Sequence, residues 1–208
     1  MSKRPRKSTE PQQESTKDRI RQAAMQEFSA EGFAGARVDR IAKAAGVNIR
    51  MIYYFFGSKE ALLKDVMSDI GRQRRVALAH SFDTPGEQLV KYFESLYDRP
   101  DAVRLLVWEA LQTPTESANL LANYEERRET IKKRVDGIKG LQKKGLIPAS
   151  LDPKLLYLFF VALTIYTTTF PQTVYVTTGK YPSNKTFKKQ YAEFLKQIGE
   201  LLVKGARG

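Results

Sequence analysis

The chain of 208 residues contains no cysteine, which rules out disulfides, thiolate metal sites and cysteine nucleophiles. It has a single histidine, His80, so no multi-histidine metal centre can form. The signature loops of nucleotide-binding and hydrolytic enzymes are also missing: there is no GxGxxG, P-loop, GxSxG or HExxH. His80 is followed by Ser81, but adjacency in sequence is not a catalytic arrangement. Neither an enzyme nor a cofactor or metal protein is expected. Residues 1–15 lack the apolar run of a secretory signal. The longest apolar run, LLYLFFVALTIY from Leu155 to Tyr166, has the length of a buried helix and falls short of a membrane span. A cytoplasmic protein that does not enter a membrane is the expectation.

What is abundant is positive charge. The net charge is +12, and residues 1–75 hold 16 Lys/Arg against 9 Asp/Glu. Over half of the excess therefore sits in the amino-terminal third, as suits a polyanionic partner. Residues 1–14, MSKRPRKSTEPQQE, have two prolines, four basic residues and almost nothing to bury. They read as a disordered basic arm. Either the arm has no role, or Lys3, Arg4, Arg6 and Lys7 add phosphate or minor-groove contacts.

The stretch VDRIAKAAGVNIRMIYYFF, Val38 to Phe56, carries the sharpest signal. Ile41, Ala42 and Ala45 give one short helix an apolar face, Gly46 supplies the positive φ of a tight reversal, and Asn48 caps a second helix. In that helix Ile52 and Phe56 are four apart and point inward. Two helices about such a turn make a helix-turn-helix, at about residues 37–56, whose second helix fits the major groove of double-stranded DNA. An ordinary helical hairpin is the competing reading. Upstream, Ile20, Ala23, Ala24 and Phe28 form a helical stripe that stops at Glu31-Gly32-Phe33.

The run AAMQEFSAEGF followed by VDRIAKAAGVNIRMIYYFFGSKEALL closely resembles the amino-terminal domain of TetR-family transcriptional regulators. The rest of the chain matches that family only in length and helix pattern. The resemblance implies an all-α fold of about nine helices. A three-helix DNA-binding domain at 15–57 is followed by a ligand-binding and dimerisation domain at 58–208. It implies a homodimer on a near-palindromic operator, acting as a repressor released by a small-molecule effector. A constitutive DNA-binding protein without an effector is the alternative, and a filled aromatic core in place of a cavity is its mark.

Carried over from the family motif, Arg37, Tyr53, Tyr54 and Lys59 anchor the phosphate backbone. Ile49, Arg50 and Met51 occupy the turn that faces bases, and Asn48 and Phe55 complete the DNA-binding set. Apolar side chains discriminate through thymine methyls and arginine pairs with guanine, so thymines next to a guanine are expected in each half-site. Two positions depart from the family pattern. Arg37 stands where Ser or Thr often caps the helix, and Phe55 where histidine is common, which leaves one phosphate contact missing.

Beyond this domain a helix is expected from about Lys59 to His80, with Leu62, Leu63, Val66, Met67 and Ile70 inward and Arg72, Arg74 and Arg75 charging its middle. Thr84-Pro85-Gly86-Glu87 combines an N-cap, a first-turn proline and a capping-box glutamate. Pro100 opens a helix with Val103, Leu106, Val107, Ala110 and Leu111 spaced for burial. A long charged helix is expected to begin at Thr115 and Glu116, and Asp152-Pro153 opens an apolar one. The segment TVYVTTGKYP reads as a loop with helical ends. A last helix runs from about Asn184 to Lys204.

Tyr92, Phe93, Tyr97, Trp108, Tyr124, Phe159 and Tyr166 are candidates for an effector site, because they place polar tips among large apolar bodies. Any one of them can equally be plain core. An aromatic or amphipathic effector would suit them. The helix at 153–166 is apolar all round, which demands burial on two sides. Leu155, Leu156, Phe159, Phe160 and Leu163, together with Phe194 and Ile198 of the last helix, are therefore expected at a dimer interface.

Overall fold

The computed structural model describes residues 15–78, 82–113 and 122–207. These form ten α-helices and no strand. The expected arm at 1–14, the helix start at Thr115 and Glu116, and His80 and Ser81 lie outside the described residues.

The first four helices form around one apolar cluster. α1 (Thr16–Gly35) starts where the Ser15 hydroxyl accepts the Asp18 N–H, and it kinks at Gly32, whose φ of +67° breaks the helix. α2 (Val38–Ala45) ends at Gly46 in the left-handed region, with the Val47 N–H returning to the Ala42 carbonyl. α3 (Ile49–Phe56) and α4 (Lys59–Ala77) follow, capped by Asn48 and Ser58. Ile20, Ala24, Phe28, Ile41, Ile52, Leu62, Val66 and Ile70 fill the cluster, with Ala102 and Leu105 from further along the chain. The ion pairs of Arg21 and Lys17 with Asp65 tie α1 to α4.

The second cluster is built by α5 (Pro85–Tyr97), α7 (Tyr124–Lys143), α8 (Pro153–Thr169) and α10 (Lys185–Arg207), while α6 (Pro100–Gln112) packs on α1. Leu89, Tyr92, Phe93, Ile138, Leu141, Leu156, Phe160 and Leu195 are the centre of this cluster. Three of these helices begin as their sequences dictate. The Thr84 hydroxyl accepts the Glu87 N–H while the Glu87 carboxylate accepts the N–H of Asp83, Asp152 accepts the N–H groups of Lys154 and Leu155, and Asn184 accepts those of Thr186 and Phe187.

The structure differs from the sequence expectation at two elements. Residues 171–178 are a helix, α9 (Pro171–Thr178), which Pro171 starts and Gly179 stops, bent 87° from α8. In α6 the buried face is Ala102, Val103 and Leu105, and Leu111 stands in solvent. That face packs against α1, so its phase is set by a neighbour in another part of the chain. Among the described residues no single helix is long and apolar enough to cross a membrane.

α4 belongs to both clusters. Its first half packs among α1–α3, and its second half, from Gly71 to Leu78, faces α5 and α7. At 1.5 Å per residue, about 22 Å of rigid helix separates Lys59 from Arg74.

Candidate functional site

The helix-turn-helix presents a reading face. Asn48 accepts the Arg50 N–H at 2.9 Å, so the first turn of α3 is fixed and its side chains project outward. Ile49, Arg50, Tyr53 and Tyr54 are exposed, Tyr54 at 79%. Among the described residues no carboxylate pairs with Arg50, Arg19 or Lys43, although ion pairs are plentiful elsewhere. Ser58 caps α4 through the Ala61 N–H, and the Lys59 ammonium sits 4.7 Å from the centre of the Phe33 ring. A capped helix start with a lysine at its first position is a natural seat for a phosphate.

Three members of the expected DNA set are placed differently. Met51 and Phe55 are half-buried against the first cluster, and Phe55 packs edge-on to Tyr54 at 5.2 Å. A helix of eight residues wedged between α2 and α4 buries a wider stripe than Ile52 and Phe56 alone. Arg37 gives α2 no side-chain cap. Its backbone N–H donates to Glu27 at 3.0 Å, and its guanidinium holds Asp39 at 2.8 and 3.1 Å. That Arg37 bond lowers the Asp39 pKa below the usual carboxylate value. Arg37 reaches phosphate only by exchanging one anion for another.

The candidate effector residues are mostly dispersed. Phe93 is fully buried between Tyr97 and Tyr191, and the Tyr97 hydroxyl donates to the Pro182 carbonyl. Trp108 lies against Gly32, where its ring is 3.3 Å from the point a Cβ would occupy, so it packs α6 onto the DNA-reading unit. Phe159 and Tyr166 face solvent on the outer side of α8, and Tyr124 lies half-buried at the start of α7. Trp108 lines the edge of a separate recess of about 140 Å³ along α6, and Tyr92 a cavity beside α4.

That cavity has a volume of about 200 Å³ between α4, α5, α7 and α8. Met67, Ile70, Leu78, Leu106, Ile131 and the ring of Tyr157 make its apolar wall, and Arg74, Arg75, Arg127 and Arg134, with Asn123, Thr130 and the carboxylate of Glu126, its polar one. It adjoins a recess of about 510 Å³ with which it shares Arg75, Leu78, Thr130 and Arg134. Arg75 is paired with Glu126, and Arg127 with Glu109 at 2.8 Å. Arg134 donates to the Leu78 carbonyl. Burial raises the pKa of Tyr92 and of Tyr157, so both hydroxyls stay protonated as donors. Arg74 and Arg134 were not among the residues expected from sequence. The usable signal was phase: Arg74 lies seven residues after Met67 and four after Ile70, on the buried stripe of α4.

The dimer residues also divide. Phe160 is fully buried and Leu156 nearly so in the protomer's own core, while Leu163 and Ile198 are half-buried against it. Phe160 and Leu156 are therefore corrected to core positions, because α5 already covers that side of α8, whereas Leu163 and Ile198 sit at the edge of the core. Leu155, Leu158, Phe159 and Phe194 remain exposed.

Comparison with known proteins agrees with this architecture. The family profile described as bacterial regulatory proteins, tetR family, matches residues 20–66. That of the tetracyclin repressor-like C-terminal domain matches residues 87–195. The chain is 33% identical over 164 residues to the HTH-type transcriptional repressor SCO4008 of Streptomyces coelicolor, covering 76% of this chain and 81% of that one. It is 30% identical over 206 residues to the HTH-type transcriptional repressor NicS of Pseudomonas putida, covering 94% of each. Among solved structures, the putative transcriptional regulator SCO4942 from Streptomyces coelicolor superposes with a TM-score of 0.69 at 27% identity, over 88% of this chain and 98% of that one. With both halves of the architecture matched, the chain belongs to the TetR family of bacterial transcriptional regulators.

Proposed function

We propose that this regulator is a repressor whose dimer places two α3 helices in successive major grooves of a near-palindromic operator, and that a small molecule in the α4–α8 cavity releases it. The observation that carries the reading is the double membership of α4. One end is packed into the DNA-reading cluster and capped beside Lys59, and the other supplies Arg74, Arg75 and Leu78 to the cavity. A ligand that shifts the second half of α4 moves the two readers away from the one-turn spacing, about 34–36 Å, that the grooves demand. The repressor names of SCO4008 and NicS support the sign of regulation. A constitutive binder would fill this space with side chains, and the cavity argues against it.

Selection of bound sequences from a random duplex library tests the DNA half of the proposal. The expected product is a pair of inverted half-sites centred one helical turn or a multiple apart, with a guanine read by Arg50 and neighbouring thymines read by Ile49. Recovery of single, unpaired motifs would overturn it.

Two substitutions then separate the kinds of contact. Lys59→Ala is expected to weaken all duplexes alike and to lower the salt slope by about one unit. Arg50→Ala is expected to cost about 1–3 kcal/mol at one base pair and leave the rest of the preference intact. Anisotropy titrations over a range of salt and of single-base operator variants measure both. A uniform loss for Arg50→Ala would make it a phosphate contact.

A further inference from the structure

We propose that the cavity takes a small organic anion, a carboxylate on an apolar body, and that Arg74 is its buried counter-ion. The inference deepens the ligand-responsive reading above and rests on it. Nε of Arg74 is out of reach of solvent and has no hydrogen-bond partner. Among the described residues no carboxylate pairs with Arg74, whereas two other arginines of the same wall are paired, with Glu126 and Glu109. The groups that act on it electrostatically are Tyr157, Arg134, Tyr92 and Arg127, of which two are further cations. A guanidinium held among cations in an apolar wall is costly unless an anion joins it. Its fork of donors matches a carboxylate in shape.

The neighbours complete the site. Gln88, 2% exposed, donates its amide N–H to the Tyr92 hydroxyl at 3.2 Å and leaves its own Oε1 unpartnered. The Tyr92 oxygen is therefore occupied as an acceptor and its proton is free to be donated. Size limits the rest of the ligand. A cavity of about 150 Å³ accommodates a benzene ring, so about 200 Å³ suits one ring or a short chain bearing a carboxylate, any longer part passing into the adjoining recess of about 510 Å³. The wall of Met67, Ile70, Leu106 and Ile131 suits an apolar body.

The test uses the full chain and three probe pairs at about 10 mM, benzoate with benzamide, phenylacetate with phenylacetamide, and hexanoate with hexanamide; binding raises Tm by mass action. At least one acid is expected to raise Tm by about 3 °C or more, and its amide to raise it less than half as much. Arg74→Met should abolish the difference between acid and amide, and Arg72→Gln, at an exposed neighbour, should preserve it. Without any probe, Arg74→Met should raise Tm, because it removes an uncompensated buried charge. A fall in Tm would make Arg74 a structural residue and overturn the proposal, as would acids and amides acting equally or all six failing to act. Affinity for the selected operator, measured with each probe, separates this proposal from the reading beneath it. Amides that stabilise and release DNA while acids do not would leave that reading standing and overturn the anion. Acids that stabilise without changing DNA affinity would leave the anion site standing and overturn the effector role.

Discussion

Charging Phe159 and Phe194 together, as Phe159→Glu with Phe194→Glu, is expected to give a folded monomer that binds operator on the order of 100-fold more weakly or worse. Uncovered apolar area on α8 and α10 is the reason. Leu155 is 66% exposed, Leu158 60% and Phe159 45% along one side of α8, and Phe194 is 45% and Leu201 61% exposed on α10. The Tyr191 hydroxyl, which donates to the Leu163 carbonyl at 2.6 Å, holds these two helices side by side. Large apolar side chains exposed on both helices are more than a monomer usually leaves in water. On the dimeric reading proposed above, two copies would pair through them in a four-helix interface under two-fold symmetry. The same test at Phe160 would be misleading, since that ring is fully buried within the protomer and its charging would unfold the domain. Sedimentation with circular dichroism decides between outcomes. A double variant that remains dimeric places the interface elsewhere.

Gly199→Ala is expected to lower Tm by about 6–12 °C, an overpacking cost at or above the usual 1–3 kcal/mol. α10 crosses α5 so closely that a Cβ on Gly199 would lie 2.2 Å from the Gly86 nitrogen and 2.3 Å from its Cα. These are backbone atoms of a capped first turn and cannot rotate aside. The helices must separate, and the contacts of Leu89 and Phe93 with Leu195 and Tyr191 loosen with them. Gly137→Ala is the control. It lies in α7 with nothing within 4 Å of its added carbon, so the helix preference of alanine should raise stability by about 0.5–1 kcal/mol. Equal Tm values for the two variants would mean that the crossing has room to spare.

Local chemistry made the DNA-reading unit legible. A positive φ at Gly46, a cap at Asn48 and an inward Ile52 follow from residues within a few positions of one another. Errors began where burial depends on a partner distant in sequence. Met51 and Phe55 are drawn inward by α2 and α4, and the buried side of α6 is set by α1. For residues that line the cavity, aromatic bulk is a poorer guide than helix phase. Bulk selected Trp108, which is spent on Gly32, and phase would have selected Arg74, which continues the stripe of Met67 and Ile70. The meeting of Gly86 with Gly199 has no sequence signal, because two glycines become a crossing point only once the helices are placed. α9 was hidden by residues that favour strands, Val174, Tyr175 and Val176, while Pro171 and Gly179 marked its ends.

The central claim is that α4 couples the cavity to the reading helices, and coupling is reciprocal. The direct measurement is calorimetric titration of the most stabilising of the small acids and amides into the protein, alone and saturated with its selected operator. The account predicts that operator weakens binding of the compound by about 5–150-fold, and that the compound weakens binding of operator by the same factor. Equal affinity for the compound with and without DNA would contradict it.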